Sequence, residues 1–415
     1  MSVARALTLF AAPGFFRLWL IGLLTGIVRW LEMLAIGVYV FDITGSAFHV
    51  ALYSIARMVP LALFGAAAGA LADRFDKKST LAIVLCIVAA GSLTLAMLTL
   101  SGELELWHVA VGAFVSGILW SIDYPVRRTM LSVMAPRDQI ASAIAFDSCT
   151  NAGTKALGPA TGGLALALLG LDGVYFTGLG LYALSLLLLW PVARPASAVR
   201  AAAAAAENFW QTMSGAMTTV RRDRALKSSL LVAVIFNLFG FPYTAMVPVV
   251  GRGDLALDPF TVGLLLSGDG VGALLVSLGI AFLATNAMLR RLYVYGLMTS
   301  LFAMLAFAFT SHALPASVAV FAVGLGAGCY SAIQTTIIIL TAPPESRGRL
   351  MGLMVVCIGM APIGFAHVGL LAEWLGASMA VGVIAVEGII ALTLVRLIWP
   401  EVTSAPFSDG VERRA

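Results

Sequence analysis

Long apolar runs separated by short polar loops constrain this chain more than any other feature of its sequence. A helix of roughly 20 apolar residues, rising 1.5 Å each, crosses a hydrocarbon layer of ~30 Å. Lipid offers no hydrogen-bond partners, so a spanning segment must satisfy its backbone internally. We read twelve such helices, near 15–41, 47–72, 79–100, 105–131, 139–167, 172–193, 228–250, 259–284, 288–310, 315–341, 349–373 and 377–399. Composition agrees: only 11% of the 415 residues are charged and 60% are hydrophobic, whereas soluble domains carry about a quarter charged residues. The class is an all-α polytopic membrane protein. The first apolar run continues past residue 20 and carries Arg29 and Glu32, so it reads as a span and not as a cleaved leader.

The formal net charge of +4 sets topology and offers nothing for nucleic acid. The odd-numbered loops (near 42–48, 101–106, 168–172, 251–258, 311–314 and 374–376) hold one cation, Arg252. The even loops and the termini hold most of the others, Arg74, Lys77, Lys78, Arg221, Arg222, Arg290, Arg291, Arg347 and Arg349 among them. Basic short loops stay cytoplasmic, so both termini are expected inside a bacterial-type inner membrane. The four cysteines (Cys86, Cys149, Cys329, Cys357) all fall in apolar runs and read as small packing residues. His49, His108, His312 and His367 are scattered, so no metal site is expected, and no cofactor. No phosphate loop, zinc-protease pair or nucleophile elbow is present, which argues against a membrane enzyme. A transport-inactive receptor or scaffold would usually carry a folded soluble domain, and no segment is long enough for one.

Residues 194–227 interrupt the apolar pattern and read as a cytoplasmic linker. It separates an N-terminal six-helix bundle (1–193) from a C-terminal one (228–400), with a tail at 401–415. The halves are alike. "HVALYSIARMVP" at 49 lies over "TVGLLLSGDGVG" at 261, an offset of 212, and "APRD" at 135 lies over "APPE" at 342, an offset of 207. The second alignment sets Asp123 on Tyr330 and Arg127 on Gln334. Six-plus-six repeats about an axis along the membrane normal are the plan of major facilitator transporters, and the duplication favours alternating access over a channel.

The motifs carry the same resemblance. "GALADRFDKK" (69–78) resembles the major facilitator signature between the second and third spans, with Gly69, Asp73, Arg74, Lys77 and Lys78 in place; Asp76 departs from it, where the family often has Gly. The resemblance implies a cytoplasmic gate in which the loop carboxylate meets the eleventh helix near Arg347 and Arg349. "FDITGSAFHV", "DYPVRRTMLSVMAPRDQIASAIAFDS" and "ALGPATGG" (156–163) resemble the branch holding macrolide-efflux and enterobactin-exporter proteins. Gly158, Pro159, Gly162 and Gly163 resemble the fifth-helix motif of drug/proton antiporters, and small residues there allow close helix contact. "SGDGVG" (267–272) reads as packing glycines.

Ionisable groups at membrane depth are functional candidates by default. Glu32 and Arg57 each lie about nine residues from the odd-loop face, so both sit roughly 13 Å deep and can pair. Arg29 is one turn from Glu32 and can share it. Asp123 and Asp147 match in depth, Arg127 is one turn from Asp123, and Asp147 with Lys155 is expected to be a structural pair. Glu32, then Asp123, with Arg29 and Arg57, are the proton-coupling candidates; Asp269 and Glu387 rank lower. Trp30, Trp120, Asn237, Phe241, Tyr243, Tyr330 and Gln334 are the candidate lining of an aromatic, lightly polar substrate chamber. The expected function is secondary active transport by a monomer, with a small amphipathic molecule and protons as partners. Proton-coupled export is the first reading, and import of a siderophore-like or other small solute by the same fold is the alternative.

Overall fold

The structure, a computed structural model, describes residues 9–10, 13–74, 76–136, 139–193, 209–342 and 346–404. Among these residues it is helical throughout, with no strand. Ten helical stretches are long and apolar enough to cross a membrane by length and composition. One of them, Ile140–Leu189, turns at Gly170, whose backbone is left-handed and extended (φ 72°, ψ −173°); a side chain there would be strained. It therefore supplies a fifth span (140–169) and a sixth (171–189). With the second span, Ala47–Arg74, the number is consistent with twelve.

The remaining spans are the first (Pro13–Thr44), third (Lys77–Ser101), fourth (Leu106–Met134), eighth (Pro259–Leu283), ninth (Asn286–Ala308), tenth (Ala313–Thr341) and twelfth (Ala377–Ile398). The seventh, Arg224–Asp254, is uneven, with π-helical turns at Phe236–Gly240 and Val250–Asp254. The eleventh is broken into Arg347–Ile358 and Ala361–Leu375. Between the halves, an amphipathic linker helix, Phe209–Arg222, ends on two arginines, where cations favour the negative end of the helix dipole. Asp223 then starts the seventh span, accepting from the backbone N–H groups of Ala225 and Leu226. Asp258 caps the eighth in the same way. The Thr261 hydroxyl and these backbone donors hold the Asp258 carboxyl below its usual range.

The first span packs along the fifth, and the eighth along the fifth and the tenth. A side chain cannot be added at the seam between fifth and eighth spans. A Cβ on Gly163 would lie 2.4 Å from the Pro259 carbonyl oxygen, and one on Gly270 would lie 2.2 Å from the Ala156 nitrogen. The glycines of the "SGDGVG" run thus serve packing, as expected. Small residues bring the two backbones together where neither lipid nor water separates them.

At the odd-loop end the halves are tied by polar contacts. Arg252 holds Asp42 through two hydrogen bonds, 2.8 and 3.0 Å, and Ser46 donates to Glu373 at 3.0 Å. Nearby, the second and eleventh spans touch, Ala51 against Gly369.

Candidate functional site

Four spans of the first half converge on a buried ionic network. Glu32, on the first span, accepts the Ser116 hydroxyl at 2.9 Å and faces Arg57 of the second span at 4.0 Å. The expected Glu32–Arg57 pair is present, at the long limit of an ion pair. Arg29 does not share Glu32: it turns toward Asp123 of the fourth span (3.8 Å), donates to Asn151 of the fifth (3.3 Å), and stacks on Trp120 with 5.0 Å from guanidinium to ring centre. The reason is geometric. Arg29 and Glu32 leave the helix three residues apart, yet Ser116 and Arg57 hold the carboxylate on one side while Asp123 and Trp120 draw the cation to the other.

Arg127 bridges two carboxylates, Asp123 at 3.4 Å within its own helix and Asp147 of the fifth span in a direct hydrogen bond. Arg128 adds a second cation to Asp147 at 3.0 Å. Asp147 is therefore already doubly paired, and the expected Asp147–Lys155 pair does not form. Lys155, about 12 Å further along the fifth span, meets Asp269 of the eighth at 2.7 Å. Asp269, fully buried, also accepts the Tyr243 hydroxyl at 2.5 Å, and its Oδ1 has no partner. Asp269, ranked low from sequence, thus joins the two halves at mid-bundle. Glu387, ranked with it, pairs with His367 at 2.7 Å on the flank, both about 40% exposed.

The expected substrate-chamber residues divide into two groups. Trp30 and Trp120 belong to the ionic network, Trp30 lying under the Lys155 ammonium at 5.6 Å. In the second half Tyr330 stacks between Phe236 (3.9 Å) and Tyr293 (5.4 Å), and Asn237 donates to its hydroxyl at 3.4 Å. Phe241 packs edge-on against Phe365. Tyr243 and Tyr330 are 2% and 1% exposed, so they are packed core in this conformation. Gln334 keeps a buried amide oxygen without a partner.

The fifth-helix motif works as a spacer. A Cβ on Gly158 would meet Trp30 at 2.4 Å, one on Gly162 would meet the Leu31 carbonyl oxygen at 2.5 Å, and Gly163 faces the eighth span; the carbonyl of Pro159 faces Gly263. Of the expected gate, Gly69, Asp73 and Arg74 lie outside the described side chains. Lys77 opens the third span, and Lys78 donates to the Trp190 carbonyl at 2.7 Å, tying the loop to the end of the sixth span. Asp76, the departure from the family pattern, caps the third span by accepting from Ser79. Arg347 points back to the Ala342 carbonyl (3.4 Å), and Arg349 lies against Gly215 of the linker helix.

Residues 4–407 match the family described as transmembrane secretion effector. The chain belongs to that family of major facilitator transporters. It is 24% identical to macrolide efflux protein A of Streptococcus pyogenes over 374 residues, 87% of this chain and 90% of that one. It is 25% identical to the uncharacterized transporter YfiS of Bacillus subtilis over 85% of each chain, and 22% identical to the staphyloferrin A transporter of Staphylococcus aureus over 60% of this chain and 62% of that one. The fold is that of solved transporters. A peptide-transporter-family protein bound to 5-aminolevulinic acid superposes with a TM-score of 0.75 at 11% identity, covering 94% of this chain and 97% of that one. The nucleoside transporter NupG gives 0.72 at 14%, covering 93% and 100%. Transport of a small molecule across a membrane is the family's work, and the chain is a multi-pass membrane protein.

Proposed function

We propose that this transporter exports a small amphipathic organic molecule in exchange for protons, by alternating access, with Glu32 as the proton carrier. The observation that carries this reading is the unequal pairing of the two leading carboxylates. Asp123 has two arginines, at 3.4 and 3.8 Å on Oδ2, although its Oδ1 has no partner. Glu32 has one cation at 4.0 Å and one hydroxyl, while 3% exposed. The charge of Glu32 thus depends on a single, distant cation, and a small movement of Arg57 is enough to break that pairing. Export is favoured by the macrolide-efflux relatives. On this reading both termini and the linker helix face the cytoplasm, the odd-loop end is outside, and each six-helix half moves as a unit. Asp73 serves a cytoplasmic gate with the eleventh span, and the protein works as a monomer.

Proteoliposomes of fixed orientation with an imposed proton gradient test it, using a labelled macrolide and a panel of amphiphiles. Glu32→Gln is expected to abolish uphill accumulation and leave downhill exchange intact, with Asp123→Asn milder. Uphill transport retained in Glu32→Gln and lost in Asp123→Asn would reverse the assignment; retention in both would place the energy input elsewhere. The staphyloferrin relative keeps import of a siderophore-like solute as the second reading, and the direction of accumulation decides between the two.

A further inference from the structure

A cleft of about 280 Å³ opens on the flank of the first half, between the third and fourth spans. At its mouth stand Thr94, Trp107 and Val111, all exposed; its walls are Val88, Leu95 and Val115; its floor is Glu32 with Tyr175. Along the fourth span the distance from Trp107 to Ser116 is nine residues, roughly 13 Å at 1.5 Å per residue. Trp107 lies near the start of that span, where aromatic side chains mark the membrane interface. The cleft thus runs from headgroup level down to a carboxylate. Two polar groups at the floor are left open. The Tyr175 hydroxyl, on a residue 1% exposed, has no hydrogen-bond partner. Glu32 lines the cleft and takes both Ser116 and Arg57 on Oε2, leaving Oε1, near Gly178 and the Ser92 hydroxyl, without a hydrogen bond among the described residues.

We propose that this cleft is a lateral binding site for an amphipathic amine, taken from the adjacent leaflet with its apolar body against the cleft walls and its ammonium on Glu32 Oε1 and the Tyr175 hydroxyl oxygen. A phospholipid acyl chain is the poorer occupant. Its headgroup would remain at the mouth and its methyl end would cover a carboxylate and an unpartnered hydroxyl, and a polar group buried without a hydrogen bond is costly. An amine inserted polar end first supplies the missing donor and lengthens the hold of the floor on the ligand. Arg57 disfavours a carboxylate in the same position, so the site discriminates by charge. The role as a substrate site rests on the export reading above, but the binding itself does not.

The probe is decylamine, with decanol and decanoate as matched controls, and equilibrium binding is measured on the purified full-length protein in detergent. Gly91 lines the cleft, and a Cβ there meets nothing within 4 Å, so Gly91→Leu starts in open space and adds bulk to the cleft. Val111→Trp blocks the mouth from the opposite wall. Decylamine is expected to bind the parent, with at least tenfold weaker binding in Gly91→Leu and Val111→Trp, several-fold weaker binding in Tyr175→Phe, and no binding of decanoate. Equal decylamine affinity in parent, Gly91→Leu and Val111→Trp, each with an unchanged melting temperature, overturns the site. Binding of decanoate as tight as decylamine overturns the charge selectivity, and a co-purifying phospholipid lost in Gly91→Leu assigns the cleft to lipid and also overturns it. If decylamine binds as expected yet no amine is accumulated by vesicles that do export the macrolide or another amphiphile, the binding site stands and its role as a substrate site fails.

Discussion

The Lys155–Asp269 contact can be tested as the electrostatic tie between halves. The two charges are 2.7 Å apart, with Asp269 fully buried and the lysine side chain 15% exposed. Their attraction is about 6 kcal/mol at an effective dielectric near 20, before the loss of hydration is subtracted. Net stabilisation is far smaller, because desolvation offsets most of it. Removing one partner is another matter. Lys155→Ala leaves Asp269 with the Tyr243 hydroxyl as its sole partner and with Oδ1 still unpartnered, and stranding such a charge costs about 3–5 kcal/mol. Asp269→Asn strands the ammonium at similar expense, though Lys155 is nearer to solvent and loses less. The double variant Lys155→Met/Asp269→Asn strands nothing and is expected to recover most of the loss, a coupling of about 2–3 kcal/mol. Unfolding of the four proteins in mixed micelles, followed by circular dichroism, completes the cycle. Additive losses, within about 0.5 kcal/mol, would show that the pair does not hold the seam.

Three further outcomes are expected. Gly163→Leu should prevent the fifth and eighth spans from meeting, because its Cβ would lie 2.4 Å from a backbone oxygen; monodisperse protein of normal yield would refute the seam geometry. Asp73→Asn should slow transport while insertion remains normal, and full transport at normal expression would confine that charge to topology. A cysteine at position 205 should react only with reagents on the cytoplasmic side, and labelling only from the opposite side would invert the orientation.

Much of the architecture was legible because the bilayer is a demanding solvent: apolar runs of the required length, with basic loops on alternate sides, leave few folds. The depth of Glu32 and Arg57 could be counted along helices of fixed rise, and their pairing followed. What could not be counted was azimuth. Lys155 and Asp147 lie on one helix eight residues and about 12 Å apart along the axis, too far to pair directly, and the sequence does not say that two arginines of the fourth span already occupy Asp147. A signal for the seam was present in the glycines of the fifth and eighth spans. Gly158 and Gly162 mark a face against the first span, Gly268 and Gly272 one against the tenth, and Gly163 and Gly270 the seam itself, where Gly270 adjoins Asp269 and its Cβ would meet the Lys155 backbone. The aromatic residues of the expected chamber raise a different difficulty. Composition cannot distinguish a ring that lines a cavity from one stacked in a core, and Tyr330 is stacked.

The halves descend from one plan but divide the electrostatics unevenly. Where the first half has Asp123 and Arg127, the second has Tyr330 and Gln334, and its interior is held by stacked rings. Around the first half and the seam, four deeply buried carboxylates (Glu32, Asp123, Asp147, Asp269) face four cations (Arg29, Arg57, Arg127, Lys155). Arg128, the fifth cation, is 26% exposed and can keep its excess charge toward water. The set balances only when Asp269 of the second half is included. Adding a proton to Glu32 therefore leaves one uncompensated positive charge in a medium that solvates it poorly. The cluster can restore neutrality by moving a cation toward water, and the candidates are Arg57, whose ion pair is the longest at 4.0 Å, and Lys155, tightly paired at 2.7 Å but the most exposed of the four cations at 15%. If Arg57 moves, the first half rearranges alone; if Lys155 moves, the tie across the seam is released. On the proposed reading, protonation of Glu32 would thereby bear on whether the two halves stay together, which is the link an alternating-access exchanger requires.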